Sequence, residues 1–572
     1  MRVVYVGQNS KARSQFRAAG GTGIALLWDR WDDYSYKTTF PTLCLVDGRE
    51  VELGPIKIYF QDQQLSHPYL VERLEKGWDG NFPLDDIDYV SMPSSTLFYE
   101  QLIGTVGQQA AVDVAVKLRD ASHMVRNHND DAALNLITAS AFETSLLRER
   151  GGQRAYAENW RILTGVATPL ANLSFRYQDV NGELRPIDLA FSAESLLPHD
   201  INVVIGPNGV GKSQLLRQIV DAWLKETDEE TDVPGFISLP SLSQVVVVSY
   251  SPFELFPVDA KDAKKEDLMD FDVYRYFGLR GRGNGVSSRG SIRLSRNIPK
   301  VNAAASLIDC LSHDQRFGSI KEWSSKVRTM EDVLRTAIDF QFAALRLKPD
   351  YDTTGMISDH TAARSAVFDY DVGKEKHRYI RISSDRTEAL VPEAIRKGII
   401  HEDGVSFFRD GAPCGLSSGQ RLFSYIVINI LGAIRQNSLI LVDEPELFLH
   451  PTLEIRFVAM LKDILAAYAS KALLATHSVV TVRETPAECV HVFSRGKDEI
   501  HISNPPFETF AADVQRITSY VFEDKRIEKP HEEWLRRELA EHGSAEALIE
   551  ALGDSLNEEL IVQLSAMEAG KW

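Results

Sequence analysis

Cysteine is scarce and scattered in this chain. Cys44, Cys310, Cys414 and Cys489 are all there is, and no C-x-x-C pair occurs, which excludes a zinc knuckle or a disulfide framework and fits a reducing compartment. Long apolar runs are missing too: none approaches the roughly 18 residues needed to cross a bilayer, and the start Met1-Arg-Val-Val-Tyr-Val lacks the charged-then-apolar order of a signal peptide. A soluble cytoplasmic protein, with no membrane contact, is predicted. Positive charge is also short, since 63 basic against 81 acidic side chains leave a net −18. The average surface therefore repels polyanions, and any contact with nucleic acid has to be local. No repeat of 20–50 residues and no sustained heptad pattern is visible, which argues against a solenoid or a long coiled coil.

What is present is an ordinary globular mixture, 572 residues with 44% hydrophobic and 25% charged side chains, enough at about 150 residues per domain for three or four compact units. Residues 1–165 read as mixed α/β. Within them 132–150 has helical apolar spacing, and Gly151-Gly152 is expected to break it in a turn or linker. From Ala171 onward short strands take over, with Asn181-Gly182 as a hairpin turn. After Phe507 two helices are expected, 530–542 and 544–569, separated at Gly543.

The chemistry begins at Ile201–Ile205, a buried-strand pattern followed at once by Gly206-Pro207-Asn208-Gly209-Val210-Gly211-Lys212-Ser213 and then Gln214, opening a helix. This is G-x-x-x-x-G-K-S in a strand–loop–helix setting. Its glycines let the backbone wrap a triphosphate so that N–H groups and the helix N-terminus face the anion. Lys212 is expected to reach the β- and γ-phosphates of ATP and Ser213 to ligate Mg²⁺. A second constellation ends the apolar strand Ser438–Val442 in Asp443-Glu444-Pro445. There Asp443 is assigned to the metal and Glu444 to the general base that polarises the attacking water. Tyr177, on the strand before the phosphate loop, is read as either an adenine-stacking ring or a core tyrosine.

Between these two sites lies Leu416-Ser417-Ser418-Gly419-Gln420 at the start of an amphipathic helix, and beyond them His477 in Ala475-Thr-His-Ser478. In that order the four motifs resemble the ABC superfamily: Ser417, Ser418, Gly419 and Gln420 resemble its LSGGQ-type signature, and His477 its switch histidine. The resemblance implies an α/β fold with an ABC-type P-loop ATPase head over 166–505, an insertion at 255–405 before the signature, the N-terminal α/β region 1–165 and a C-terminal helical tail, 506–572. It also implies a homodimer with two ATP molecules held between phosphate loop and opposite signature; assembly beyond the dimer is left open.

The stretch from Lys212 to Leu416 is about double what a compact transporter head requires. Asp443-Glu-Pro-Glu-Leu-Phe-Leu-His-Pro451 resembles the OLD, RecF and SMC-like ATPases, and especially the PtuA-type ATPases of the anti-phage systems Septu and certain retrons. That resemblance implies a switch subunit controlling a separate HNH nuclease of PtuB type. The segment after His477 is too short for a TOPRIM nuclease, and His491 and His501 have no clustered ligands in sequence. The competing reading is a RecF- or SMC-like repair ATPase acting directly on DNA.

For nucleic acid, DNA or retron RNA/DNA, the strongest local signal is 274–300. It carries Arg275, Arg280, Arg282, Arg289, Arg293, Arg296 and Lys300 without an intervening acid, beside Tyr274, Tyr276 and Phe277. The competing reading is a solvated loop pairing with the acidic stretch 226–232.

Overall fold

The computed structural model describes residues 1–28, 36–46, 48–148, 150–164, 170, 172–191, 196–225, 232–238, 240, 242–259, 273–282, 292–317, 325–358, 366–496, 499–522 and 530–569. They divide into two compact units, Met1–Phe510 and Ala511–Trp572.

The N-terminal region is built on a six-stranded sheet in the order Asn81–Phe82, Arg2–Gly7, Gly23–Leu27, Thr39–Val46, Arg49–Phe60, Tyr89–Pro93. Helices Leu97–Val106 and Gln108–Leu118 bury Tyr99, Leu102, Val114 and Leu118 in one core with Phe60 and Tyr89 of the sheet. The helix expected over 132–150 is instead helix Asp131–Leu136 and the π-helical turn Phe142–Leu146, and the break falls just before the glycine pair, since Gly151 and Gly152 stand in the first turn of helix Arg150–Thr164. A side chain on Gly152 would put its Cβ 2.4 Å from the Leu146 carbonyl oxygen, so glycine serves close packing there and not a turn. The chain between this region and the next, 165–169, lies outside the described residues.

Seven strands form the central sheet of the following region, in the order Tyr274–Gly278, Gln244–Ser249, Ser438–Asp443, Lys471–Thr476, Ile201–Ile205, Val490–Arg495, Ile500–Ser503. The first six are parallel and the last runs antiparallel to its neighbour. A parallel sheet covered on both faces needs apolar residues without alternation, and INVVI, QVVVVS and SLILVD provide them, buried throughout. Parallel strands also bring their C-terminal ends to one edge, where ligands bind in open α/β sheets. The phosphate loop, Asp443 and Thr476-His477 all follow strands at that edge.

Two boundaries differ from expectation. Tyr274–Gly278, assigned in sequence to the insertion, is the edge strand of the central sheet, since its alternation of arginine and aromatic residues conceals a strand buried on one side. The insertion's own five-stranded antiparallel sheet runs past residue 405, ending with Val405–Arg409 and Ala412–Pro413. This sheet leads directly into helix Ser418–Ala433. Helix Ile298–Phe317 crosses that helix closely: a Cβ on Gly432 would lie 2.7 Å from the Ser306 carbonyl oxygen.

The C-terminal unit is helical, as expected, but holds three helices after residue 530 instead of two. Pro530–His542, Ala545–Leu552 and Glu558–Glu568 enclose Leu535, Ala545, Leu548 and Leu564, and Gly553 at φ 51° ends the second helix. Among the described residues no helix is long and apolar enough to cross a membrane. All four cysteines carry free thiols.

Candidate nucleotide site

The phosphate loop hangs between strand Ile201–Ile205 and helix Lys212–Leu224. Gly206 tolerates no side chain, because a Cβ there would sit 2.2 Å from the Phe493 carbonyl oxygen. Gly209 and Gly211, at φ 75° and 97°, adopt backbone conformations that other residues take up only at a cost. Val210 anchors the loop in the core, while Pro207, Asn208 and Gly209 are exposed and leave a shallow backbone cradle. The Gln214 amide donates to the Gln178 carbonyl, tying the helix to the neighbouring hairpin, while its Oε1 lies 3.7 Å from where a Gly211 Cβ would stand.

Lys212 is 6% exposed. Its ammonium donates to the Gly206 and Pro207 carbonyls, at 2.9 and 3.0 Å, and to His477 Nε2 at 2.9 Å. Burial pushes the lysine down to about 8 against the pull of Glu444, Glu446 and Asp443. His477 goes down to about 4, through burial first and the Lys212 charge second. The two shifts agree, since a neutral imidazole accepts the lysine proton at Nε2 and carries its own hydrogen on Nδ1.

Ser213 donates at 2.8 Å to Asp443 Oδ1, and Ser249 approaches Oδ2 at 3.5 Å. Asp443 is 3% exposed and is pushed up to about 7 by burial, with Glu444 and Glu446 adding repulsion. A hydroxyl and a carboxylate facing each other among acidic neighbours form an oxygen donor set suited to a hard divalent cation such as Mg²⁺. Glu444 sits in the left-handed region at φ 50°, fixed by its N–H to the Ala475 carbonyl at 2.8 Å. A non-glycine residue held in that region costs about 1–3 kcal/mol and marks sites where the surroundings impose the conformation.

Sequence reading passed over Glu446. Its carboxylate accepts the His477 backbone N–H at 2.5 Å and the Thr476 hydroxyl at 2.8 Å, while Glu454 accepts the Ser478 hydroxyl at 2.5 Å. Two carboxylates thus clamp the loop that carries His477. Nothing in their spacing gave this away except the second acid of Asp443-Glu-Pro-Glu446.

Two further expectations change. Tyr177 is 1% exposed, packed against Phe493 in the main core, so it is a core tyrosine and its ring cannot reach an adenine. The apolar side chain that is exposed beside the loop is Val180, at the hairpin tip and 3.3 Å from where a Gly211 Cβ would stand. At the signature, Ser417 and Gln420 form a capping box, each side chain bonded to the other's backbone, and the Gln420 amide also donates to the Ala337 carbonyl. Such a cap stabilises a helix by about 1 kcal/mol. It occupies both side chains, so Ser418, Gly419 and the free backbone donors of the helix N-terminus are what remains open to an anion.

The basic segment behaves differently. Arg275 pairs with Asp309 at 3.2 Å, Arg280 with the fully buried Glu254 at 3.2 Å, and Arg282 with Asp259 at 2.6 Å. Tyr274, Tyr276 and Phe277 are 3–8% exposed. These arginines therefore have partners other than the predicted acidic stretch, and the three rings are unavailable for stacking on bases. Arg293 and Arg296 are exposed and Lys300 is half-buried, while Arg289 and residues 226–231 lie outside the described residues.

With this geometry in place, comparison with known proteins is informative. A family model described as "AAA domain, putative AbiEii toxin, Type IV TA system" matches residues 405–483, the stretch holding the signature helix, Asp443–Glu446 and His477. Protein ea59 of Escherichia phage lambda is 24% identical over 522 residues, which span 86% of this chain and 85% of that protein. Among solved structures, an SMC head bound to the C-terminal winged-helix domain of ScpA is 10% identical with a TM-score of 0.29, over 59% of this chain and 98% of that one. The SMC head domain from Thermotoga maritima is 12% identical with a TM-score of 0.25, over 59% and 100%.

Proposed function

We propose that this protein is an ATP-binding and ATP-hydrolysing switch that closes as a homodimer and controls a separate effector, a nuclease of HNH type, in the contest between phages and bacteria. The observation that carries the nucleotide reading is the convergence of Lys212, Ser213, Asp443 and His477 from three separate stretches of chain on one loop cradle. In this reading Lys212 exchanges its two carbonyl partners and His477 for phosphate oxygens, and His477 is freed to hydrogen-bond the terminal phosphate. Ser213 and Asp443 hold Mg²⁺, which when bound offsets phosphate charge. Glu444 orients and deprotonates the attacking water.

The homodimer follows from the signature. Its helix N-terminus, an anion-binding end, has Ser418 exposed, and in this reading it serves the nucleotide of a second copy. Leu447, Phe448 and Ile455, 42–48% exposed just after the acidic motif, supply apolar surface for that contact. The likeness to a phage-encoded protein supports that setting. Direct DNA binding through 274–300 is the weaker reading, since three of its arginines are paired and its aromatic residues are core.

Glu444→Gln tests the whole. It is expected to retain ATP, to lower turnover by at least about 100-fold, as removal of a general base does, and to accumulate a dimer in size-exclusion chromatography with light scattering. Unchanged turnover overturns the assigned base, and a monomer that holds ATP overturns the sandwich. Co-purification of the full chain with its genomic neighbour tests the effector.

A further inference from the structure

A cavity of about 350 Å³ opens at the opposite end of the central sheet from the phosphate loop. It is bounded by Gln244 at the start of its strand, by residues 432–436 at the C-terminal end of the signature helix, and by Glu100 and Gln101 of the N-terminal region. Its volume is at the lower end of small-ligand sites.

Its chemistry is mixed in a particular way. Gln244 is 1% exposed and Gln101 6%, and the Oε1 atom of each is buried without a hydrogen-bond partner. An orphaned buried acceptor costs about 1–3 kcal/mol, so two of them on one cavity ask for a ligand bearing N–H donors. Positive charge exceeds negative around them. Asp309 is shared between Arg275 at 3.2 Å and Arg396 at 2.7 Å, and Arg435 faces Glu100. Lys326, 2% exposed, has its ammonium on the Ile434 carbonyl at 2.8 Å and over the Tyr468 ring at 5.4 Å. Burial pushes Lys326 down to about 8, a cost that a bound anion would relieve.

We infer that this cavity binds a small effector combining an anionic group with N–H donors, of the class of nucleoside monophosphates with an amino-bearing base. The base amino group meets the glutamine acceptors and the phosphate meets Lys326, Arg275 and Arg435. The Ile434 carbonyl that Lys326 holds belongs to the residue that ends the signature helix. The helix has 16 residues, so at 1.5 Å per residue it spans about 24 Å between effector and signature. Coupling to ATP rests on the nucleotide reading proposed above; binding at the cavity does not.

The experiment uses the full chain carrying Lys212→Ala, which disables the phosphate loop, in equilibrium dialysis with labelled AMP, GMP and CMP, with inorganic phosphate as competitor. One of the three is expected to bind once per chain, and Gln101→Leu or Gln244→Leu in the same background to weaken it at least tenfold. Each glutamine variant is also made without Lys212→Ala, and retained ATP binding there shows that it folds. Absence of binding by all three nucleotides, binding seen only with Lys212 intact, or binding unchanged in both glutamine variants each overturns the site. Equal displacement by inorganic phosphate overturns the role of the base. Failure of ATP binding in the otherwise wild-type chain, with monophosphate binding preserved, would overturn the phosphate-loop reading alone.

Discussion

The phosphate-loop region and the basic segment 274–300 are each conspicuous in sequence, yet the fold treats them in opposite ways. The first is a spacing: glycines at positions where the backbone leaves the ordinary regions, and a lysine and serine at the start of a helix. The second is a composition, arginine and aromatic residues mixed. A spacing specifies backbone geometry, and the fold must honour it. A composition leaves the partners open, and here Asp309, Glu254 and Asp259, each 23–34 residues away along the chain, take three of the arginines. An edge strand buried on one side can thus look like a nucleic-acid ribbon until the acids opposite it are placed.

The largest expected effect tests the first half of that contrast. Lys212→Ala removes the ammonium that bonds the Gly206 and Pro207 carbonyls and His477, and ATP affinity by calorimetry is expected to fall at least about 100-fold, in line with the 2–5 kcal/mol lost when a buried charge partner is truncated. Unchanged affinity would break the comparison. Next comes the clamp on His477. Glu446→Ala unfastens the Thr476 hydroxyl and the His477 N–H together, and about a tenfold loss of turnover is expected, below the roughly 100-fold that a 1 Å misplacement of a catalytic group can cost. ATP affinity should move little, and Glu446→Gln, which keeps one acceptor, should recover part of the loss. A fall in affinity with turnover unchanged would make Glu446 merely structural.

The basic segment predicts an effect of another kind. Arg280→Ala leaves the carboxylate of Glu254, which Tyr276 also contacts, buried without its cation. Stability in urea is expected to drop by about 3 kcal/mol, while any affinity for single-stranded DNA at fixed salt stays the same. The reverse result, weaker DNA binding at unchanged stability, would restore the nucleic-acid reading.

How far the sequence could be read follows the same division. The strand–loop–helix at 201–224, the strand ending in Asp443 and the loop at His477 were visible because local pattern and backbone geometry coincide there. The buried place of Tyr177 was not, since alternation on strand Asn172–Gln178 does not say which face meets Phe493. Nor was the edge strand Tyr274–Gly278, whose pairing with Gln244–Ser249 is non-local. The cap formed by Ser417 and Gln420 obeys a local rule that the signature spacing masked. Glu446 was missed because its partners, Thr476 and His477, are far along the chain.

The smallest expected effect concerns His477, whose imidazole links the phosphate loop to the end of strand Lys471–Thr476. Its folded-state pKa is about 4, below the usual value near 6.5. The unfolded chain therefore takes up a proton between those values that the folded chain does not. Stability tied to this residue is fully present above about 6.5 and is lost as pH falls toward 4. His477→Gln, neutral at every pH, should flatten that part of the stability profile in nucleotide-free protein, and the His477 ring resonances in NMR should stay nearly constant from pH 7 to pH 5, below the range in which Lys212 titrates. A ring that titrates near 6.5 would mean that the contact with Lys212 does not hold in solution, and that the Lys212 ammonium at rest bonds the Gly206 and Pro207 carbonyls without the imidazole.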